Sequence, residues 1–124
     1  IQGVGESVPV ATGAADAVMM LRSYNHLRDP AAAIAEAARV VAPGGRLIAV
    51  DNVVFGLCRS REQLDRARSI SVEATPFEHY RNASGAEAAR AIAADGRWRI
   101  DRCEDVGPGT ANQWMVTATR AEGP

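Results

Sequence analysis

Few side chains in this 124-residue sequence can do chemistry, and their spacing narrows what that chemistry is. His26 and His79 are the only histidines, groups that take or give a proton near neutral pH. Cys58 and Cys103 form no CxxC pair, and no two of these four residues stand at metal-ligand spacing, so no metal site is expected. There is no Gly-x-Ser-x-Gly nucleophile elbow and no glycine-rich phosphate loop. Phe77, His79 and Tyr80 gather aromatic and polar character in Thr75-Pro-Phe-Glu-His-Tyr-Arg-Asn82. Such a cluster can cover a flat or apolar ligand and exclude water, or it can pack a helix on a sheet. Glu36 and Arg39, three apart, read as an ion pair on a helix surface.

Charge excludes some partners. With 14 cationic against 15 anionic residues, a net charge of -1 and no run of either sign, neither a nucleic-acid groove nor an anionic membrane surface is expected. No apolar run approaches the roughly 20 residues that cross a bilayer, and two cysteines are too few for a disulfide framework. A soluble, cytoplasmic protein is the expectation. The length suits one domain, residues 1–124, and an Ile at position 1 suggests a longer parent chain.

The elements that must position those residues follow from local pattern. Ala17-Val-Met-Met-Leu21 reads as a strand buried on both faces. Asp29-Pro30 supplies an N-cap and a first helical residue, and Ile34, Ala38 and Val41 make one apolar stripe at i, i+4 and i+7. Pro43-Gly44-Gly45 breaks that helix with a positive-φ turn, and Arg46–Asp51 reads as a second buried strand. Strand, helix and strand joined so tightly make a βαβ unit with parallel strands. Ser60-Arg-Glu-Gln63 and Ser84-Gly-Ala-Glu87 read as capping boxes for helices ending near Ser71 and Asp95-Gly96. Alternation through Trp98 and Ile100, a Gly107-Pro-Gly109 turn, and alternation through Trp114, Val116 and Ala118 predict an antiparallel hairpin.

Parallel strands ending in an antiparallel hairpin resemble the C-terminal portion of a class I S-adenosylmethionine-dependent methyltransferase, an α/β Rossmann-like fold. The sequence resembles it too. "IQGVGESVPVATGAADAV" is similar to the family's passage from the third strand into the fourth. "YNHLRDPAAAIAEAARVVAPGGRLIAV" is similar to its His-(x)-Leu-x-Asp-Pro segment, Glu-x-x-Arg-Val-Leu helix end, Pro-Gly-Gly turn and fifth strand. The likeness covers residues 1 to about 52.

The resemblance implies S-adenosylmethionine as cofactor and a small-molecule acceptor. It implies that Val4, Gly5, Leu21 and Arg22 line the cofactor site at the carboxyl ends of the strands. Val4 stands where many relatives carry an Asp that bonds the adenine amino group, which leaves packing on the purine and the Gly5 N–H as contacts. His26 matches the family histidine near the point of methyl delivery, where it would take a proton from the attacking hydroxyl or amine; capping the helix at Pro30 or bonding a loop carbonyl are its other uses. Phe77, His79 and Tyr80 fall where the family covers its acceptor. The family's glycine-rich turn and ribose-binding acidic residue do not occur in this chain. The edge of the Ala17–Leu21 strand would then be bare, inviting a partner fragment or self-association. Two rival readings are a non-catalytic remnant that binds a partner, and half of a nicotinamide-linked oxidoreductase, which requires an all-parallel sheet.

Overall fold

Gly13, at φ +68, turns the chain into its first strand, β1 (Ala15–Leu21), and donates to the Arg39 carbonyl at 2.9 Å. The computed structural model describes residues 2–54, 60–69, 80–106 and 112–122. After β1 a 3-10 turn, Tyr24–His26, leads to α1 (Pro30–Val40). The helix starts where the Asp-Pro pair requires: the Asp29 carboxylate accepts from the Ala32 N–H at 3.0 Å.

Its far end departs from expectation. The sequence predicts a Pro-Gly-Gly turn between helix and strand, but β2 (Val41–Asn52) begins in the residue after the helix. Val41 pairs with Ala15, the next partners are Ala17 and Arg46, and residues 42–45 arch out between them. The glycines serve that arch. Gly44 sits at φ +83, and a Cβ on Gly45 would run into Val41 Cγ1 and lie 2.6 Å from the Asp16 carbonyl. Tertiary pairing of Val41 with Ala15 ends the helix before Pro43 is reached.

Serine N-caps start α2 (Arg61–Arg68) and α3 (Gly85–Ala94), where Ser60 and Ser84 accept from the Gln63 and Glu87 N–H groups. The hairpin strands are β3 (Trp98–Asp105) and β4 (Gln113–Arg120); the predicted turn at 107–109 lies outside the described residues. The sheet order is β1-β2-β4-β3, with β1 and β2 parallel and β4 antiparallel to both its neighbours. This is the mixed α/β sheet expected of the Rossmann-like reading. It contradicts the all-parallel sheet that the oxidoreductase reading requires.

Alternation gives the sheet two unlike faces. Leu47, Ala49, Trp114, Val116 and Ala118 are buried on one, together with Ile34 and Ala38 of α1 and Ala88 and Ile92 of α3. Ile34 and Ile92 are fully buried, each contributing about 1.5–3 kcal/mol by transfer from water. Trp98 Nε1 and Arg120 Nε donate to the Ile34 and Ala38 carbonyls, fastening the hairpin to α1. The other face is thinly covered: Met19 is 59% and Leu21 58% exposed. The expectation that β1 is buried on both faces therefore fails. Among the described residues it is an edge strand, with Met20 in the core and Ala15 and Val18 packed against it.

Candidate functional site

Ligands of open α/β sheets bind beyond the carboxyl ends of parallel strands, where the loops leave. Here that edge is formed by the ends of β1 and β2. Arg22 extends the pairing one residue past β1 by donating to the Val50 carbonyl at 2.7 Å, yet its φ is +55. A non-glycine residue in that region costs about 1–2 kcal/mol, which the Val50 bond and the anchored turn behind it offset. The chain thus turns sharply at the strand end, leaving Leu21 and Arg22 exposed at the edge.

The turn behind Arg22 is fixed by Asn25, which is 1% exposed. Its N–H donates to Asp51 Oδ2 at 2.9 Å and its side-chain amide to the Asn52 carbonyl at 2.6 Å. Asp51 also accepts from the Asn52 N–H through Oδ1, so a buried carboxylate at the end of β2 spends both oxygens on backbone amides. From the other side, Ala83 N–H donates to Asn25 Oδ1 at 3.1 Å and Tyr80 N–H to the Asn25 carbonyl at 2.8 Å. Arg81 adds bonds from its guanidinium to the Tyr24 and Leu27 carbonyls, at 2.7 and 2.5 Å, and stands 5.8 Å from the Tyr24 ring centroid. Tyr24 in turn meets Trp114 edge-on at 5.8 Å, and burial pushes its phenol pKa up.

A second loop reaches the same place from the amino-terminal side. Val4 and Ser7 close a tight turn, Ser7 N–H donating to the Val4 carbonyl at 3.1 Å. A Cβ on Gly5 would lie 3.0 Å from Leu27 Cδ2, and Asp29 N–H reaches Glu6 Oε1 at 3.3 Å. Residues 8–12 are held by α1. Glu36 accepts from Arg39 through both carboxylate oxygens, at 2.6 and 2.8 Å, and from Val8 N–H at 2.8 Å. Arg39 continues to the Val8 and Val10 carbonyls and to Thr12 Oγ1. The pair read as a surface decoration is a clamp on that loop. Hydrogen bonding to Arg39, then to Val8, lowers the Glu36 pKa to about 2.

The structure therefore gathers the Val4-Gly5 turn, Leu27, the half-buried His26 and Tyr80 around one edge, with Leu21 and Arg22 at the strand end. Asp29, rather than His26, caps α1. Tyr80 is brought to the turn, its hydroxyl accepting from Arg28 Nε at 3.0 Å; Phe77 and His79 lie outside the described residues. Sequence reasoning missed Asn25, Asp51 and Arg81. The one available signal was Asp51, an acidic residue ending an apolar strand, where an ionised side chain is buried only if paired or well hydrogen-bonded. Val4 leaves a 62%-exposed isopropyl group on the turn beside this edge. Exposed Val4 and Leu21 offer apolar contact, and the turn offers backbone groups. Among the described residues no group of three or more His, Cys, Asp or Glu could hold a metal ion, and no helix is long and apolar enough to cross a membrane.

Known proteins resemble part of the sequence and share the fold. A family model described as a methyltransferase domain matches residues 1–49. The uncharacterized protein YafE of Escherichia coli (strain K12) is 46% identical over 50 residues, 40% of this chain and 24% of YafE. A SAM-dependent methyltransferase from Aquifex aeolicus superimposes with a TM-score of 0.66 at 20% identity, over 98% of this chain and 54% of that one. A chain from the complex between the Haloferax volcanii Trm112 methyltransferase activator and a methyltransferase gives 0.70 at 14% identity, over 97% and 60%. The chain thus spans a quarter of the curated relative and little more than half of these solved structures.

Proposed function

From a chain that shares its fold with S-adenosylmethionine-dependent methyltransferases and matches a methyltransferase-domain family model over residues 1–49, we propose that it is the C-terminal part of one such domain and helps transfer a methyl group to a small-molecule acceptor. The observation that carries this reading is the Val4–Ser7 turn, held beside Leu27 at the carboxyl edge of a parallel β1-β2 pair. A donor bound there supplies a methyl group already activated on a sulfonium.

The residues present fit part of that donor. Val4 and Leu21 offer apolar surface to a purine and to the methylene chain beside the sulfonium, and the turn at Gly5 and the end of β1 offer backbone groups. A valine side chain makes no hydrogen bond to an adenine amino group, so base recognition falls to packing and backbone. Arg22, exposed at the strand end, would pair with a carboxylate. His26, on the anchored turn, takes the proton from the attacking hydroxyl or amine. Positioning supplies much of the acceleration, because the methyl needs no further activation. Tyr80 would border the acceptor.

The bare edge and thin cover of β1 support completion by further polypeptide, a partner fragment or a second copy, and a reducing cytoplasm suits the exposed free thiol of Cys103. Val4 favours a second reading, a methyltransferase-like remnant that binds a partner without catalysis. Isothermal titration with S-adenosylhomocysteine separates the two: micromolar binding by the chain joined to its completing polypeptide supports the enzyme, and no binding supports the remnant.

A further inference from the structure

Asn25 stands apart from every other polar residue near this edge. It is 1% exposed, and its backbone N–H, backbone carbonyl, side-chain oxygen and side-chain amide all bond residues at least 26 positions away along the chain. Those partners lie in two places far apart in the chain, Asp51 and Asn52 at the end of β2 and Tyr80 and Ala83 before α3; Trp114, paired with Asp51 in the ladder, adds a single tie of its own by donating from Nε1 to the Ala83 carbonyl at 3.0 Å. A buried amide with both its oxygen and its nitrogen bonded fixes geometry, because losing one partner leaves a desolvated polar group behind. His26 follows Asn25, and Leu27 forms the wall against Gly5.

We propose that Asn25 is a positioning residue that makes the His26 turn and the 80–83 segment one rigid piece with the carboxyl end of β2, so that donor-side and acceptor-side surfaces of the site keep a fixed relation. The inference deepens the proposed methyl-transfer reading and rests on it for what the two surfaces bind. Asn25 itself touches no reacting group; it acts through His26 and Leu27 on one side and Tyr80 on the other. Arg81 reinforces the joint through the Tyr24 and Leu27 carbonyls but bonds only that turn, so it cannot replace the link to β2.

The test is amide hydrogen exchange on the full chain with its completing polypeptide, comparing wild type, Asn25→Ala and Asp51→Asn. In Asn25→Ala, exchange at the Ala83 amide and along 24–27 rises about tenfold while Val116 and Ala118 in β4 keep their protection. A uniform rise across all these amides would mean that Asn25 only contributes stability and would overturn the proposal. Should Asn25→Ala fail to fold, Asp51→Asn decides. Its amide presents one oxygen to two N–H donors, so exchange must rise at Asn25 or Asn52, and the proposal is lost if neither moves.

Binding of S-adenosylhomocysteine gives a separate readout. In wild type it should slow exchange at 24–27 and at 80–83 together; in Asn25→Ala only the first response should remain. Slowing of both segments in the variant contradicts the coupling. If wild type shows no binding at all, the methyl-donor reading falls, while the exchange pattern without ligand still decides whether Asn25 joins the two segments.

Discussion

Glu36 and Arg39 show how much a side chain's role depends on partners that sequence spacing does not reveal. Three positions apart on a helix they predict a solvated pair of little energetic weight, but the neighbours that matter, Val8, Val10 and Thr12, come from a loop 27 or more residues away from the group each one bonds. The Glu36 carboxyl is held at about 2 against its ordinary 4.5, so its folded-state pKa is depressed. Its stabilising contribution is complete above about pH 4.5 and is lost as pH falls through that value toward 2. The Val8 amide resonance should therefore titrate with a midpoint near 2, and Glu36→Gln should abolish the titration; a midpoint near 4.5 would mean that the clamp is open in solution. Gly45 gives a prediction of a different kind. Gly45→Ala drives a methyl into Val41 and the Asp16 carbonyl and should cost about 2 kcal/mol or more, whereas Gly13→Ala, strained at φ +68 but in open space, should cost about 1. Chemical denaturation orders the two, and equal losses would contradict the close approach at residue 45. Asn25 was illegible in the sequence for the same reason as the clamp: all its side-chain partners come from distant segments.

At the scale of elements the sequence was more readable, since helix starts are written locally. Asp29-Pro30, Ser60 and Ser84 each mark a cap that the structure contains, because the bond that makes the cap spans only three residues. The end of α1 was misread because it is decided by the pairing of Val41 with Ala15, and the burial of β1 because an apolar run says nothing about what lies opposite it. The two sheet edges make the consequence visible. β3 carries exposed ion pairs, Arg99 with Asp101 and Arg102 with Glu104, which discourage further pairing. β1 carries Met19 and Leu21. The 124-residue chain alone should self-associate at micromolar concentration through β1, and Met19→Lys should shift sedimentation toward monomer. A wild-type chain that is monomeric throughout would show that the edge is inert.

For the whole molecule, strand direction was legible because connection lengths leave few choices: a strand, a capped helix and a strand in close succession must run parallel, and two alternating strands around a glycine-proline turn must fold back. The observed order β1-β2-β4-β3 follows from those two rules plus the insertion of β4 between β2 and β3, which the sequence did not specify. The fold points to the carboxyl edge of β1 and β2 as the candidate site; which residues hold its loops in place was not readable from the sequence. Everything functional turns on whether the Val4-Gly5 turn and the strand end at Leu21-Arg22 form one binding edge for the methyl donor. The sharpest test adds S-adenosylhomocysteine to the isotope-labelled chain, together with the polypeptide proposed to complete it, and follows backbone amide shifts. Saturable shifts are expected at Gly5, Arg22 and His26, with little change at Arg99 to Glu104 on the far edge; shifts confined to other surfaces, or none, would contradict a shared edge.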